Sequence, residues 1–387
     1  MINQNLSNER IMRKLLTVGF VLFFLYCCGP KQEKVEKIIE NGVEVVLNHI
    51  EPYKINGEPS TFTLEEELVI DTERDDILDV GMGSAGEFDV DSEGNIYIVS
   101  FKNIKNFIFK FDSKGNLVTS FGRMGQGPGE LQWPISPVIN DRDEMAIYDY
   151  PKKLVIFNKN GGLVKEEHLN FQSTGMELLK NGKYLVWRLN REKVTTEYFP
   201  RVLSLYDSSF NEIKELDVYK SPHQKNRLTP YFMWRISNGH IYIANEERGY
   251  EIWIYDLEGN LARKIRKDYR PVTASEKIKK LILGPSYGSF DFKDYFPRPL
   301  PPLSSFFTDD EGCLFVMSYE EGERPGEYLC DIFNPEGIFV GRKSLHLFWA
   351  KLYFGPKYTM VKKNHLYCHR EKESGFMELV VYKMNWK

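Results

Sequence analysis

Residues 88–121 read FDVDSEGNIYIVSFKNIKNFIFKFDSKGNLVTSF, and this stretch decides the fold. A turn at Ser92-Glu93-Gly94-Asn95 leads into the short β-rich run Ile96-Tyr97-Ile98-Val99, and a second apolar run ends in Asp112-Ser113-Lys114-Gly115. The first turn returns at Asp141-Arg142-Asp143-Glu144, Asn181-Gly182, Asn238-Gly239, Glu311-Gly312 and Lys363-Asn364. The second returns at Asn158-Lys159-Asn160-Gly161, Asp207-Ser208-Ser209-Phe210, Asp256-Leu257-Glu258-Gly259 and Asn334-Pro335-Glu336-Gly337. In each second turn the Asx side chain can bond the backbone two residues on, and Gly, where present, supplies a positive φ.

The leading Asx residues of the second turns are spaced by 46, 49, 49 and 78 positions. A period near 50 with four short strands per unit predicts an all-β chain, a six-bladed β-propeller of four-stranded antiparallel blades, rather than a doubly wound enzyme fold. The sixth unit runs out at residues 377–384 with no fourth strand after it, which would leave an open edge. Residues 63–71, TLEEELVID, offer the spare strand, so the ring is expected to close with an N-terminal strand.

The stretched interval points to an insertion at residues 267–305. Thr273 and Glu276 form a capping box ahead of a helix over 274–283, followed by the aromatic and Pro-rich GPSYGSFDFKDYFPRPLPPL. Blade-to-blade loops emerge on one face of the disc, so this segment is either a lid or docking surface beside the channel mouth or a packed decoration. A second long loop, residues 188–201, should project from the same face.

The chain has 387 residues, a formal net charge of −4, 27% charged residues and 14% aromatics, including 22 Tyr and 26 Phe. That composition suits large side chains wedged between sheets. Residues 1–27 carry Arg10, Arg13 and Lys14 against Glu9, so the body without them is at −6. A mildly acidic body argues against a nucleic-acid partner.

Arg13-Lys14 precede an apolar run over 15–26 that is too short to span a bilayer, which reads as a secretory signal peptide, with Met12 a possible start. Next comes Leu25-Tyr26-Cys27-Cys28-Gly29, which resembles the lipobox of bacterial lipoproteins; Cys28 is the lipidation candidate, although Tyr26 departs from the usual small residue. The expected organisation is a lipoprotein signal peptide over 1–27, a tether over 28–60, marked by KQEKVEKIIE, and a propeller over 61–387. Lipid on Cys28 would anchor the domain to a membrane of the bacterial cell envelope, the outer membrane or periplasmic side before the inner.

FGRMGQGPGELQWP, residues 121–134, joins the first unit to the second and resembles the interblade segment G-x-G-P-G-E-[FL] of NHL-type propellers. With GNIYIVS and FDSKGNLV, the chain is similar to the six-bladed NHL-like propeller lipoproteins of Bacteroidetes over about residues 62–385. The resemblance implies a fold and an envelope location, since most members have no established activity.

Gly122, Gly125, Gly127 and Gly129 could be mistaken for a phosphate cradle, but that reading needs a helix after the loop, and Trp133-Pro134 follows instead. The acidic turns DSEGN, DSKGN and DLEGN contain fragments of a calcium loop yet offer only one or two carboxylates each. His365 and His369 would lie about 13 Å apart on a strand, too far to share a metal. Cys313 and Cys330 flank a hairpin and either face each other across it or are buried free thiols, as Cys368 is. Neither G-x-S-x-G nor H-E-x-x-H occurs.

Propeller ligands usually meet loops around the channel on one face. Residues placed to point there are Arg123, Trp133, Tyr231, Trp234, Arg235, Tyr287 and Trp349, each alternatively a packing residue. Aromatics with Arg suit a glycan, a peptide or an acidic small molecule through stacking and bidentate hydrogen bonds. The leading expectation is a membrane-anchored, non-enzymatic binding or assembly module with an envelope protein, peptide or glycan partner and no cofactor or metal. The alternative is an NHL-type propeller enzyme, a metal-dependent lyase or hydrolase working at the channel mouth. Its relatives hold zinc with channel histidines, and the expected innermost segments, 87–90, 138–140, 177–179, 233–236, 306–308 and 358–361, contain none.

Overall fold

Asx turns of one construction end most of the hairpins. Asp112 Oδ1 accepts the N–H of Lys114 and of Asn116, and Asn116 Nδ2 donates to Oδ2, all at 2.8–2.9 Å. Asp207 and Asp256 repeat the pattern with Asn211 and Asn260. These bonds hold the Asp112 and Asp207 carboxyls below the usual carboxylate range, the donating Asn amide being the largest cause. Gly115 supplies φ 79° in this turn, and Phe210 takes the equivalent position at φ 61°. A side chain there costs about 1 kcal/mol, offset in part by the stack of Phe210 on Tyr184 at 4.7 Å.

A computed structural model describes residues 35–55, 57–101, 105–222, 232–283, 299–346 and 359–387. The chain divides into units Met1–Val35 and Glu36–Lys387, and the architecture is that of the second. Its first strands are β1 (Glu36–Glu40), β2 (Val43–Asn48) and β3 (Phe62–Ile70), followed by a short helix α1 (Asp75–Asp79). Blade 1 is β4 (Phe88–Val90), β5 (Ile96–Val99), β6 (Asn106–Phe111) and β7 (Leu117–Arg123). Blade 2 is β8 (Pro134–Ile139), β9 (Met145–Asp149), β10 (Lys153–Phe157) and β11 (Leu163–His168). Blade 3 is β12 (Gly175–Leu178), β13 (Tyr184–Leu189), β14 (Tyr198–Tyr206) and β15 (Glu212–Pro222). Blade 4 is β16 (Phe232–Ser237), β17 (His240–Asn245), β18 (Glu251–Asp256) and β19 (Leu261–Lys267). After α2 (Glu276–Leu283), blade 5 is β20 (Ser305–Thr308), β21 (Leu314–Glu321), β22 (Tyr328–Phe333) and β23 (Phe339–Leu345). Blade 6 is β24 (Thr359–Lys362), β25 (His365–Glu371) and β26 (Met377–Trp386), completed by β3.

The pairing within each blade is antiparallel and sequential, so the first strand of each is its inner edge; β4, β8 and β12 touch in succession, as do β16, β20 and β24. The two Asx-bearing turns of a blade therefore share one face of the disc, the turn face. The connections between second and third strands and between blades share the other, the loop face.

Apolar side chains lie between blades rather than within them. Six clusters of buried residues occupy the six boundaries; that between blades 5 and 6 joins Phe307, Phe315 and Met317 to Leu366, Cys368 and Phe62. On the turn face, side chains latch neighbouring blades. Ser92 N–H and Oγ donate to Asp143 of blade 2 at 2.9 and 2.6 Å. Asn181 Nδ2 donates to Leu257 O at 3.0 Å, Asn238 Nδ2 to Glu311 O at 3.2 Å, and Lys363 N–H to Asp310 Oδ2 at 2.9 Å. Lys363 Nζ also reaches Ser92 O at 2.7 Å, which latches blade 6 to blade 1.

The expected ring closure is present over almost the expected residues: β3 runs antiparallel to β26, from Phe62 opposite Trp386 to Ile70 opposite Leu379. The helix of the insertion starts two residues later than the capping box places it, because Ser275 Oγ, not Thr273, accepts the Ile278 N–H at 3.2 Å. Cys313, Cys330 and Cys368 are free thiols. Cys330 lies opposite Met317, four residues from Cys313, a separation of about 13 Å along the strand against the roughly 7 Å limit for a bridge.

The segment read as a tether departs from that reading. From Glu36 onward it is a hairpin, with Asn41 at φ 51° and Gly42 at φ 82° in its turn, and β2 pairs parallel to β19 to extend blade 4 to six strands. Its acids meet a basic strand: Arg263 reaches Glu44 at 2.7 Å, and Arg266 reaches Glu40 at 2.8 Å, which pulls the Glu40 carboxyl down to about 2. Asn-Gly is the strongest short-range hairpin signal, and the charge-based reading passes over it.

Phe62 is fully buried, with its ring 5.8 Å from Phe315 and 5.3 Å from Trp386. Phe62→Ala is expected to lower unfolding stability by about 3–5 kcal/mol in urea titration, whereas Ile39→Ala, on the exposed side of β1, changes it by less than about 0.5 kcal/mol. Equal effects of the two would remove the closure strand from its place at the centre of the fold.

Candidate functional site

The Gly-rich connection between blades 1 and 2 is built around carboxylates of the protein itself. Glu130 Oε2 accepts Gly127 N–H at 2.9 Å, Glu166 Oε2 accepts Gly129 N–H at 2.7 Å, and Asp149 Oδ1 accepts Gln132 and Trp133 N–H at 2.9 and 2.6 Å. A Cβ on Gly125 would stand 1.9 Å from Glu130 Oε2, so glycine there admits the carboxylate. The amides that could have cradled a phosphate are taken. Lys153, buried beneath, balances the acids through Asp149 at 3.5 Å and the Glu130 carbonyl.

This internally braced loop delivers Trp133 to the loop face immediately before β8, the inner strand of blade 2. Trp133 is 59% exposed, and its ring centroid lies 5.5 Å from that of Phe101, itself 44% exposed. Phe101 leans edge-on against buried Phe107 at 5.7 Å. Tyr150 N–H donates to Trp133 O at 3.0 Å, and Tyr150 and Met124 are also exposed. Arg123, at the start of the same connection, is exposed and approaches Glu130 at 3.8 Å. An exposed aromatic pair can stack on planar or C–H-rich ligand faces, and an exposed guanidinium on the same connection can grip an acidic group.

Inside the channel mouth, β8 carries a bulge between Ile135 and Val138, with Ser136 at φ 54°. Acids of the neighbouring inner strand fill the donors this leaves: Glu87 Oε2 accepts Ser136 N–H at 2.5 Å, and Asp89 Oδ2 accepts Ile139 N–H at 2.7 Å. Bulges of this kind re-aim side chains at functional rims.

Of the seven residues singled out in the sequence, Arg123 and Trp133 lie exposed on one connection between blades 1 and 2. Trp234 and Arg235 lie elsewhere, on β16. Trp234 packs 5.5 Å from Trp187 and donates its indole N–H to Glu177 Oε1 at 2.7 Å. Arg235 lies over the Phe306 ring at 5.4 Å and donates to Trp234 O at 2.9 Å. Both are half-buried parts of blade boundaries. Tyr231, Tyr287, Trp349 and the lipidation candidate Cys28 lie outside the described residues. Phe101 and Tyr150, which sit between second and third strands rather than on an interblade segment, reach the same face.

The histidine pair separates as strand geometry requires. His365 is near the surface, its Nε2 2.9 Å from Glu67 Oε2, while His369 is buried edge-on to Phe88 at 5.4 Å. Among the described residues no three His, Cys, Asp or Glu converge as a metal site would need. The Asp91 oxygens are filled by its own turn, through Glu93 and Asn95 N–H and Asn95 Nδ2. Among the described residues no helix is long and apolar enough to cross a membrane.

A family model described as a six-bladed β-propeller matches residues 89–230. The fold is a six-bladed β-propeller. Among solved structures the chain is similar to a member of the DUF4221 family from Bacteroides vulgatus, at 13% identity and a TM-score of 0.50 over 85% of this chain and 99% of that one. It is also similar to a protein from Bacteroides fragilis described as exported, at 13% identity and a TM-score of 0.49 over 88% and 99%. At such identity the likeness speaks to the propeller architecture alone. No curated protein matches the chain.

Burial holds His369 neutral, with its proton affinity down to about 3 against about 6.5 in an unfolded chain. The folded state therefore loses stability as pH falls from 6.5 toward 3, by about 1.4 kcal/mol per unit. His369→Phe removes this term, so urea titrations between pH 6 and 4 are expected to show a shallower acid limb than the wild type. An unchanged limb would mean that His369 is protonated in the folded chain.

Proposed function

We propose that this chain is a lipid-anchored propeller of the bacterial envelope that binds its ligand without chemical turnover, through the loop face. The observation that carries the reading is the Phe101–Trp133 pair: two large rings with centroids 5.5 Å apart yet open to solvent, on a connection that also carries the exposed Arg123. Apolar rings normally bury themselves, and a rigid, braced loop that presents one outward spends stability on something other than folding. The lipobox-like Leu25-Tyr26-Cys27-Cys28-Gly29 after a basic-apolar leader supports the envelope address and anchor. The G-x-G-P-G-E segment supports kinship with NHL-like propellers.

The chemistry of the platform favours a glycan or an extended peptide bearing an acidic group. Stacking on Trp133 would supply contact area at low entropic cost, and Arg123 would fix orientation by charge. Assembly with an envelope protein would use the same surface, with an exposed loop of that partner as the peptide.

The test is an array of envelope glycans and acidic peptides probed with the wild-type chain and with Trp133→Ala. Loss of the stacking ring should weaken the best binder about tenfold while leaving thermal unfolding unchanged, since Trp133 is mostly exposed. A blank wild-type array, or a binder indifferent to Trp133→Ala, would overturn this assignment.

A further inference from the structure

The turn face is not sealed uniformly. Between blades 2 and 3 no side chain is hydrogen-bonded to the neighbouring turn's backbone among the described residues. The contact there is Lys180 Nζ to Asp141 Oδ1 at 3.4 Å, with both side chains about two-thirds exposed. The apolar cluster at this boundary is also the smallest, with seven buried residues of which three are tyrosines, against ten to thirteen at the others. At this seam a cleft of about 390 Å³ opens. Two independent features, a thin core and a missing latch, thus meet at one cavity.

The walls are chemically divided. Ile156 of blade 2 and Leu179 and Tyr184 of blade 3 supply an apolar floor, while Arg142, Lys165 and Lys180 stand on the rim. Each rim cation has an acidic partner: Glu144 for Arg142 at 2.9 Å and Glu167 for Lys165, both acids mostly buried, and Asp141, itself on the cleft wall and two-thirds exposed, for Lys180. The Lys180–Asp141 pair, exposed on both sides at 3.4 Å, is of the sort that is worth little and exchanges readily, so an incoming anion can take Asp141's place there. The volume has room for about a dozen water-sized atoms, which excludes a protein segment with bulky side chains and matches the low end of metabolite sites.

We propose that the seam between blades 2 and 3 is a second ligand site, on the face opposite the Phe101–Trp133 platform, and that it takes a small organic anion with an apolar body, such as a medium-chain or arylalkyl carboxylate. The carboxylate lies among the rim cations and the hydrocarbon covers Leu179 and Ile156. A neutral molecule would gain nothing from Lys180, whose 3.4 Å contact with Asp141 is loose and exposed, and a bare inorganic anion would leave the floor wet. Because the walls come from both blades, the occupant replaces the absent latch and joins the two blades at their thinnest boundary.

The test is calorimetric titration of the full-length chain with octanoate and 4-phenylbutyrate, with octanamide as the neutral counterpart and inorganic phosphate as the bare anion. Saturable carboxylate binding is expected, at least tenfold tighter than octanamide or phosphate, with a melting temperature that climbs as octanoate passes its Kd. Lys180→Glu and Arg142→Glu, both at exposed positions that the fold does not need, should each weaken octanoate at least fivefold, and Trp133→Ala should leave it unchanged. Equal binding of octanoate and octanamide, or no saturable carboxylate binding at all, would overturn the ligand class and the site with it. Octanoate binding that survives both charge reversals would place the anion elsewhere and defeat the proposal, whatever the outcome at the platform.

Discussion

A blade of this protein has no core of its own. Every apolar cluster lies between two neighbours, so each sheet is stable only because the next one covers it, and the arrangement is self-consistent only if the last sheet meets the first. The pairing of β3 with β26 is what makes that possible. It lays Phe62 into the boundary of blades 5 and 6 and Ile70 into that of blades 6 and 1, so one strand from the chain's beginning serves both boundaries of a blade from its end. The contacts it makes span some 300 residues of sequence, which places ring closure among the late and cooperative steps of folding.

Closure also explains the division of labour between the faces. The short Asx turns stand close enough together to grip each other through Ser92, Asn181, Asn238 and Lys363, and that face is spent on holding the disc. The loop face is relieved of this duty. Its connections are longer and need only return to an inner strand, so a residue such as Trp133 can be held outward by a loop whose own backbone donors are satisfied by Asp149, Glu130 and Glu166.

How much of this could be read beforehand depended on whether the signal was local. All six first turns and the five second turns were visible because Asx and Gly act over four or five residues, and the inner strands followed from counting outward from them. The site was only half legible. Trp133 and Arg123 stand on an interblade segment, but whether an aromatic ring is buried or presented depends on neighbours from another part of the chain: Trp234 disappears against Trp187 and Glu177, while the Trp133 ring rests on Phe101, itself exposed. The hairpin of β1 and β2 was lost for a similar reason. Its charges looked like those of a solvated linker, because the basic strand that answers them, LARKIRK of β19, lies more than 200 residues away. The cleft between blades 2 and 3 left no mark in the sequence at all, being defined by a latch that is missing.

The docked hairpin has a mechanical side. The backbone of its outer strand, β1, pairs with β2 alone, in antiparallel register with Glu36 opposite Leu47 at the open end. A pull applied from the N-terminal side of Glu36 therefore loads these hydrogen bonds one after another, like a zipper, and not all at once as in shear. The ring, closed through β3 further along, feels nothing until both strands have peeled away. Thirteen residues from Glu36 to Asn48 would then extend to about 45 Å, a reserve of length that can pay out under tension and be wound back when it relaxes.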